Sequence, residues 1–238
     1  MTMMESEKMD RISTGIDGID EVLGGFPVGR TIVVTGNAGA GKTIFCLQFV
    51  NACVKAGLNT VYMASEEDPN DLMAQATSFD WDLKGAKEKG TLNFMDLATL
   101  DDIEMEMAMI ITHEARKGNF VGILKDMPEG TKAVVIDSLG SYTANLTVQD
   151  FKDQFGLLIH GLKRKGITAL VIIDSATSKE FNDMALFWAH GAIRLQKRDN
   201  PYTGNRERAM DIIKMRNTPT PTELMTYDIG PNGITVTK

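Results

Sequence analysis

The chain is poor in the residues that build disulfides and metal sites. It has two cysteines and three histidines in 238 residues. Cys46 and Cys53 are seven residues apart on a predicted helix, which separates them by about 10 Å, beyond the roughly 7 Å between Cα atoms that a disulfide spans. A structural zinc ion needs about four ligands, and no cluster of His or Cys supplies them. We expect both cysteines to be small buried core residues.

Long apolar runs and excess basic charge are also missing. No stretch approaches the roughly 18 to 20 apolar residues that cross a bilayer, and the N-terminus (MTMMESEKMDR) lacks the apolar segment of a secretory signal. The formal net charge is −7, which argues against broad nucleic-acid binding. A hydrophobic share of 43% is enough for a core. We therefore expect a cytoplasmic globular protein without membrane insertion.

A phosphate-binding loop is present. Residues 36–43 read GNAGAGKT and fit G-x-x-x-x-G-K-[ST] at each fixed position. A buried strand is predicted before the loop, over Thr31–Thr35, and a helix after it, over Ile44–Lys55. Successive backbone N–H groups of such a loop face an anion, and the helix N-terminus adds its positive dipole end. The predicted nucleotide-binding residues are Gly36, Asn37, Ala38, Gly39, Ala40, Gly41, Lys42, Thr43 and Ile44.

Within this loop, Lys42 is expected to reach the β- and γ-phosphates of a nucleoside triphosphate, and the Thr43 hydroxyl to ligate Mg²⁺. A second metal-binding group follows the apolar strand predicted over Thr131–Ser138 (TKAVVIDS). Its last acidic residue, Asp137, is placed to hold Mg²⁺ through water. The segment LVIIDS, residues 170–175, repeats the pattern. Chain order favours Asp137, and the role of Asp174 stays open.

Two glutamates follow the strand predicted over Asn59–Ala64. Acidic groups at the carboxyl end of a strand lie at the edge where open α/β sheets bind ligands. Glu66 or Glu67 could orient and deprotonate the water that attacks the γ-phosphate. The alternative is that this acidic run opens the next helix, where negative charge is favourable.

The lead-in to the loop carries a more specific signal. Residues 13–29 read STGIDGIDEVLGGFPVG, and together with GNAGAGKT they resemble the RecA-superfamily ATPases of the KaiC-like branch, in particular single-domain archaeal-type relatives of the circadian-clock ATPase KaiC and of RadA. The resemblance implies a RecA-like α/β fold with a mostly parallel sheet flanked by helices, and turn signals in the tail add a C-terminal antiparallel β extension. With one phosphate-binding loop and no internal repeat, we expect a flexible N-terminus over residues 1–12 and a single ATPase domain over 13–238.

The resemblance also implies roles for particular residues. KaiC-like enzymes carry adjacent catalytic glutamates where this chain has Glu66, our first choice, and Glu67. The segment RERAMDIIKMRNTPTP, residues 206–221, resembles the signature in which a Lys-x-Arg pair, here Lys214 and Arg216, reaches the neighbouring subunit's γ-phosphate. Such a cation supplied in trans would stabilise transition-state charge. The alternative is that the pair is simply solvated at a strand end.

A site completed in trans requires a ring, and we expect a homohexamer with nucleotide at the subunit interfaces. The predicted function is slow, Mg²⁺-dependent ATP hydrolysis in regulation or signalling, with an unidentified regulatory protein partner. One alternative is a nucleotide-gated scaffold with little hydrolysis. The other is a DNA recombination or repair ATPase, which fits less well because the loops over 139–145 and 176–187 offer only Lys179 as a base.

Three further predictions concern local structure. Residues 99–117 are predicted to be helical. Residues 118–130 (GNFVGILKDMPEG) are expected to form an extra loop or short hairpin and do not match the family pattern. Arg206 and Arg208 flank a predicted turn and are expected to be surface charges.

Overall fold

The computed structural model describes residues 9–96, 120–143, 146–174, 177–200 and 204–237. The strands in these residues are β1 (Arg11–Ile12), β2 (Phe26–Pro27), β3 (Thr31–Gly36), β4 (Thr60–Ala64), β5 (Leu92–Asp96), β6 (Ala133–Asp137), β7 (Thr168–Asp174), β8 (Gly191–Asp199), β9 (Arg206–Met215), β10 (Met225–Gly230) and β11 (Gly233–Thr237). The helices are α1 (Asp17–Leu23), α2 (Lys42–Lys55), α3 (Pro69–Thr77), α4 (Leu83–Glu88), α5 (Phe120–Lys125), α6 (Val148–Arg164) and α7 (Lys179–Trp188), and a 3₁₀ turn spans Gly140–Thr143.

A nine-stranded sheet organises the fold, in the order β11-β10-β9-β8-β3-β7-β6-β4-β5. From β8 to β5 all neighbouring strands are parallel, whereas β9, β10 and β11 continue the sheet in antiparallel fashion. β1 and β2 form a separate two-stranded sheet. The predicted α/β class, the mostly parallel sheet and the C-terminal antiparallel extension are confirmed. No helix among the described residues is long and apolar enough to cross a membrane.

The central strands β3, β4, β6 and β7 are buried on both faces because helices cover each side. Successive side chains of a strand point to opposite faces. In β3, Ile32 and Val34 therefore pack in the cluster that contains α2, while Val33 packs in the cluster that contains α6 and α7. All three are fully buried. Strands of this kind read as continuous apolar runs, which is why the strands that carry the site are visible in the sequence.

Helix boundaries follow local capping. The Thr147 hydroxyl and the Asp150 carboxylate form a reciprocal capping box at the start of α6. In α3 the cap is Asp68, whose side chain accepts a hydrogen bond from the Asn70 backbone N–H at 2.7 Å, and Pro69 occupies the first turn. Cys46 and Cys53 are free and buried on α2, as expected.

The segment 118–130 corrects the sequence-based expectation of a loop or hairpin. It contains the helix α5, whose first residue, Phe120, is fully buried. The Phe120 ring packs edge-on against the Phe151 ring, with 5.9 Å between the ring centroids. The Phe120 N–H donates to the Gln154 side chain at 3.0 Å, and the Lys165 ammonium donates to the Leu124 carbonyl at 2.8 Å. These contacts with α6 stabilise a helix of six residues that would not persist alone.

Two other predicted segments fall wholly or partly beyond the described residues. The helix predicted over 99–117 lies outside them, as do residues 1–8 of the expected flexible N-terminus. In the rest of that N-terminal segment, Arg11 and Ile12 pair with Pro27 and Phe26. The Arg11 guanidinium also donates to the Gly25 carbonyl at 2.9 Å, so these two residues are attached to the domain.

Candidate nucleotide site

The phosphate-binding loop joins β3 to α2 and needs glycine at two points. Gly36 ends β3 with φ +150°, and a Cβ there would lie 1.9 Å from the Leu195 carbonyl oxygen on β8. Gly41 precedes α2 with φ +94°, and a Cβ there would lie 2.6 Å from Cδ1 of Ile229. Both positions therefore exclude any larger residue, and the loop curls so that its backbone faces the cavity beside it.

Neighbouring strands fix the loop from outside. The Asn37 side chain donates to the Lys197 carbonyl at 2.7 Å and accepts from the Lys197 N–H at 2.9 Å. The buried Tyr227 hydroxyl donates to the Ala40 carbonyl at 2.5 Å. These contacts from β8 and β10 tie the loop to the sheet at Asn37 and at Ala40.

Lys42 folds back over the loop. Its ammonium donates to the Gly36 carbonyl at 3.1 Å and to the Asn37 carbonyl at 3.3 Å. The same nitrogen lies 3.5 Å from a carboxylate oxygen of Asp174, the last residue of β7. The Lys42 side chain is 11% exposed, so its charge is held close to the loop rather than in solvent.

Asp137 lies opposite the loop, at the end of β6. One of its carboxylate oxygens accepts hydrogen bonds from the Thr43 hydroxyl at 3.0 Å and from the Tyr62 hydroxyl at 2.7 Å. Burial raises the pKa of Asp137, although the two hydroxyl donors act in the opposite direction. A buried carboxylate of this kind is stabilised by a nearby cation.

The two glutamates follow β4 on the same edge of the sheet. The Ser65 N–H donates to the Asp137 carbonyl at 2.9 Å, which ties the end of β4 to the end of β6. Glu66 accepts a hydrogen bond from the Ser138 hydroxyl at 3.3 Å. Desolvation, followed by the charge of Asp137, raises the pKa of Glu67. A carboxylate with a raised pKa is a stronger base than one in water.

These groups line one cavity of about 460 Å³. Its volume falls within the range of small-ligand sites. The loop residues Gly36, Asn37 and Ala40 make the contacts with β8 and β10 described above rather than lining the cavity. The lining includes Ala38, Gly39, Gly41, Lys42, Thr43, Ile44, Glu66, Glu67, Gln75, Asp137, Asp174, Arg208 and Ile229.

The donor set beside Thr43 fits Mg²⁺. The Thr43 hydroxyl and the Asp137 carboxylate are hard oxygen donors on adjacent elements, 3.0 Å apart. Mg²⁺ prefers such oxygens and is usually held by one or two protein groups together with phosphate and water. Among the described residues no group of three or more His, Cys, Asp or Glu side chains is placed to hold a metal alone. A metal in this cavity would therefore need the phosphates of a nucleotide as further ligands.

Known proteins resemble this chain over most of its length. The family described as "ATPase: KaiC" matches residues 12–238. The chain belongs to the KaiC ATPase family. It is 30% identical over 237 residues to a UPF0273 protein of Pyrococcus horikoshii, covering 95% of this chain and 93% of that one. It is 26% identical over 226 residues to the circadian clock protein KaiC3 of Synechocystis sp., covering 92% of this chain but only 43% of that protein, so it spans less than half of the clock protein's length.

The fold comparison extends to a solved structure. The crystal structure of a KaiC-like protein from Pyrococcus horikoshii aligns with a TM-score of 0.76 and 27% sequence identity, covering 97% of this chain and 100% of that one. The resemblance predicted from the lead-in and the phosphate-binding loop is thus confirmed, and so is the RecA-like fold.

In this KaiC-like domain, Lys214 and Arg216 lie apart from the cavity. The Arg216 N–H donates to the carbonyl of His190, the residue before β8, at 3.0 Å. Because β8 and β3 begin side by side, Lys214 and Arg216 lie at the amino edge of the sheet, near the start of β3. The phosphate-binding loop leaves the opposite edge. A strand rises about 3.3 Å per residue, and neighbouring strands lie about 4.8 Å apart, so the distance from Lys214 and Arg216 to the phosphate-binding loop is on the order of 15 to 20 Å. Both side chains donate to the Phe187 carbonyl at 2.9 Å.

Sequence reasoning misses two polar residues of the site: Arg208, which lines the cavity, and Tyr62, which is bonded to Asp137. Arg208 lines the cavity and is 28% exposed, so the prediction that it is an ordinary surface charge is wrong. Its position follows from the register of β9 on β8, where Arg208 lies opposite Lys197, the residue bonded to the loop. Tyr62 is fully buried and reads as a core residue, yet its hydroxyl bonds to Asp137. A tyrosine two residues before the end of the strand that precedes the glutamates is the only sequence signal.

Proposed function

We propose that this domain binds ATP with Mg²⁺ and hydrolyses it slowly, as a homohexameric ring with a role in regulation. The observation that carries the proposal is the contact between the Thr43 hydroxyl and the Asp137 carboxylate, 3.0 Å apart, in the cavity that Lys42 also lines. A hydroxyl and a carboxylate placed together beside a phosphate-binding lysine are the protein's share of a Mg-nucleotide site. The family to which the chain belongs is described as an ATPase family, which favours adenine over guanine.

In this proposal the loop and α2 bind the phosphates. The backbone N–H groups between Gly36 and Ile44 face the anion, and the N-terminus of the 14-residue helix α2 adds a favourable dipole. Lys42 would release the Gly36 and Asn37 carbonyls and bind the β- and γ-phosphates. When bound, Mg²⁺ would neutralise phosphate charge beside Thr43 and Asp137.

Glu66 and Glu67 would position and deprotonate the attacking water. Both line the cavity, and both follow β4, whose end is tied to Asp137. The hydrogen bond from Ser138 orients Glu66. The raised pKa of Glu67 suits a general base. We propose the pair as the catalytic carboxylates, with the choice between them left to single substitutions.

Lys214 and Arg216 would complete the site of a neighbouring subunit. Their distance from the cavity of their own chain rules out a role there. In the proposed head-to-tail ring, the amino edge of one subunit would face the cavity of the next. Phe187, which accepts both hydrogen bonds, is 71% exposed, and the adjacent Trp188 is 40% exposed. Aromatic side chains of this size next to paired cations are typical of an interface.

The test measures phosphate release and particle mass in the same samples, with and without Mg-ATP. The proposal expects ATP turnover by a ring, lost in the Glu66→Gln/Glu67→Gln variant and retained in the matched Glu88→Gln/Glu129→Gln control, which changes two exposed glutamates. If the wild type forms a ring but shows no ATP turnover, the proposal of an enzyme is wrong and a nucleotide-gated scaffold is the better explanation. A monomer with normal turnover would refute the trans role of Lys214 and Arg216.

A further inference from the structure

Asp174 places a carboxylate beside the lysine of the phosphate-binding loop. It ends β7 and pairs in register with Gly36, which ends β3. One of its carboxylate oxygens lies 3.5 Å from the Lys42 ammonium, and both residues line the nucleotide cavity. A negatively charged protein group therefore occupies the neighbourhood in which Lys42 would bind the phosphates.

The backbone of Asp174 holds this carboxylate in place. Its carbonyl accepts hydrogen bonds from the Asn182 side chain at 3.1 Å and from the Thr177 N–H at 3.0 Å. These two hydrogen bonds and the pairing of β7 with β3 hold the Cα of Asp174 beside Gly36, and its side chain is 33% exposed. The negative charge consequently stays near the cavity when a ligand enters.

The charges of the cavity make this position costly for a phosphate. Acidic residues outnumber basic ones among its charged groups, which are Glu66, Glu67, Asp137, Asp174, Lys42 and Arg208. A carboxylate held beside the loop by its backbone competes with bound phosphate for Lys42 and repels the phosphate, and the repulsion grows with the charge of the ligand. A nucleoside triphosphate carries one more negative charge than a diphosphate, and its γ-phosphate is a second group, besides the β-phosphate, that Lys42 would contact.

We propose that Asp174 is a specificity-determining residue that lowers the affinity for nucleoside triphosphate relative to diphosphate by competing for Lys42. The inference rests on the proposed function, because it assigns a role within the same nucleotide site. Its consequence is a site in which the triphosphate gains little affinity over its product, so that occupancy follows the ratio of the two nucleotides in solution.

The first test compares nucleotide affinities in the presence of Mg²⁺. Calorimetric titration with ADP and with a non-hydrolysable ATP analogue would be carried out on the wild type, on Asp174→Asn and on Asp183→Asn. The control removes an exposed carboxylate of α7 and changes the net charge equally. We expect Asp174→Asn to tighten the ATP analogue by about tenfold or more and ADP by clearly less, with no change in the control. An equal effect on both ligands, or weaker triphosphate binding, would overturn the inference.

The second test needs no nucleotide. A double-mutant cycle of Lys42→Met and Asp174→Asn, followed by urea unfolding of the free protein, measures the coupling of the two side chains directly. We expect non-additive effects on the unfolding midpoint, and additivity would contradict the competition for Lys42. If coupling is present but the wild type binds neither nucleotide, the proposed function fails and the selectivity fails with it, while the ion pair itself stands.

Discussion

The placement of Lys214 and Arg216 leads to a mixing experiment on two inactive variants. One variant, Glu66→Gln/Glu67→Gln, keeps the trans cations but lacks the catalytic carboxylates. The other, Lys214→Ala/Arg216→Ala, keeps the carboxylates but lacks the cations. Each pure variant is expected to lose turnover, the second by about 10³-fold or more if the pair acts as an arginine finger does.

The expected recovery on mixing follows from the geometry. The pair lies on the order of 15 to 20 Å from the phosphate-binding loop of its own chain, farther than a Lys or Arg side chain reaches. An active interface therefore needs the carboxylates of one subunit and the cations of the next. In rings assembled at random from equal amounts of the two variants, about one interface in four combines both, so turnover should return to about a quarter of the wild-type value.

The assay is steady-state phosphate release after the variants are co-assembled, with an affinity tag on one variant and capture of the untagged variant to establish that mixed rings form. Wild-type subunits mixed with each variant provide the reference curves. The reasoning is refuted if mixed rings form but turnover stays at the level of the pure variants. It is equally refuted if Lys214→Ala/Arg216→Ala alone turns over at the wild-type rate.

Three further perturbations test separate parts of the structure. Tyr62→Phe removes one of the hydrogen bonds to the buried Asp137 carboxylate and should lower the free energy of unfolding by about 1 to 3 kcal/mol, measured by urea titration; an unchanged midpoint would contradict this contact. Burial, followed by the charge of a nearby arginine, lowers the pKa of His190 from 6.5 to about 4, so stability should be full above pH 6.5 and decline as the pH falls towards 4. The free energy of unfolding should fall by about 1 kcal/mol near pH 5, after allowance for solvent screening of the half-exposed imidazole ring. This loss should be absent in His190→Gln and retained in His160→Gln. Phe187→Ser should shift the particle mass from ring to smaller species while leaving the melting temperature of the domain nearly unchanged, and an unaltered ring would exclude this surface from the interface.

Sequence patterns predict the central strands and the loop well because each is a local feature. β3, β4, β6 and β7 are mostly apolar runs with β-branched residues, and a strand buried on both faces needs such a run. β6 and β7 end in an aspartate, which marks the site edge of the sheet. The residues of the phosphate-binding loop are contiguous in the chain, so the loop can be predicted without knowledge of tertiary contacts. The predicted loop and the predicted strand that ends in Asp137 together bring Thr43 close to Asp137, because parallel strands end at one edge of the sheet.

Contacts that depend on register between distant segments are not predicted. Tyr62 reaches Asp137 because β4 and β6 are aligned with Tyr62 opposite Val135, an alignment that no local pattern specifies. The helix α5 is missed for a related reason. Its six residues contain a glycine and are flanked by loop-forming residues, so local propensity favours a turn. The contacts that stabilise it come from α6.

The direction of β9 gives the tail its proposed role. Because β9 runs antiparallel to β8, its beginning lies at the carboxyl edge of the sheet and its end at the amino edge. Arg208, near the beginning, lines the chain's own cavity, whereas Lys214 and Arg216, at the end, face away from it. In the proposed ring, one rigid strand would carry a cation for its own nucleotide and two for the neighbour's. A parallel strand in this position would bring its last residues to its own cavity, so the antiparallel extension is what allows one strand to serve two sites.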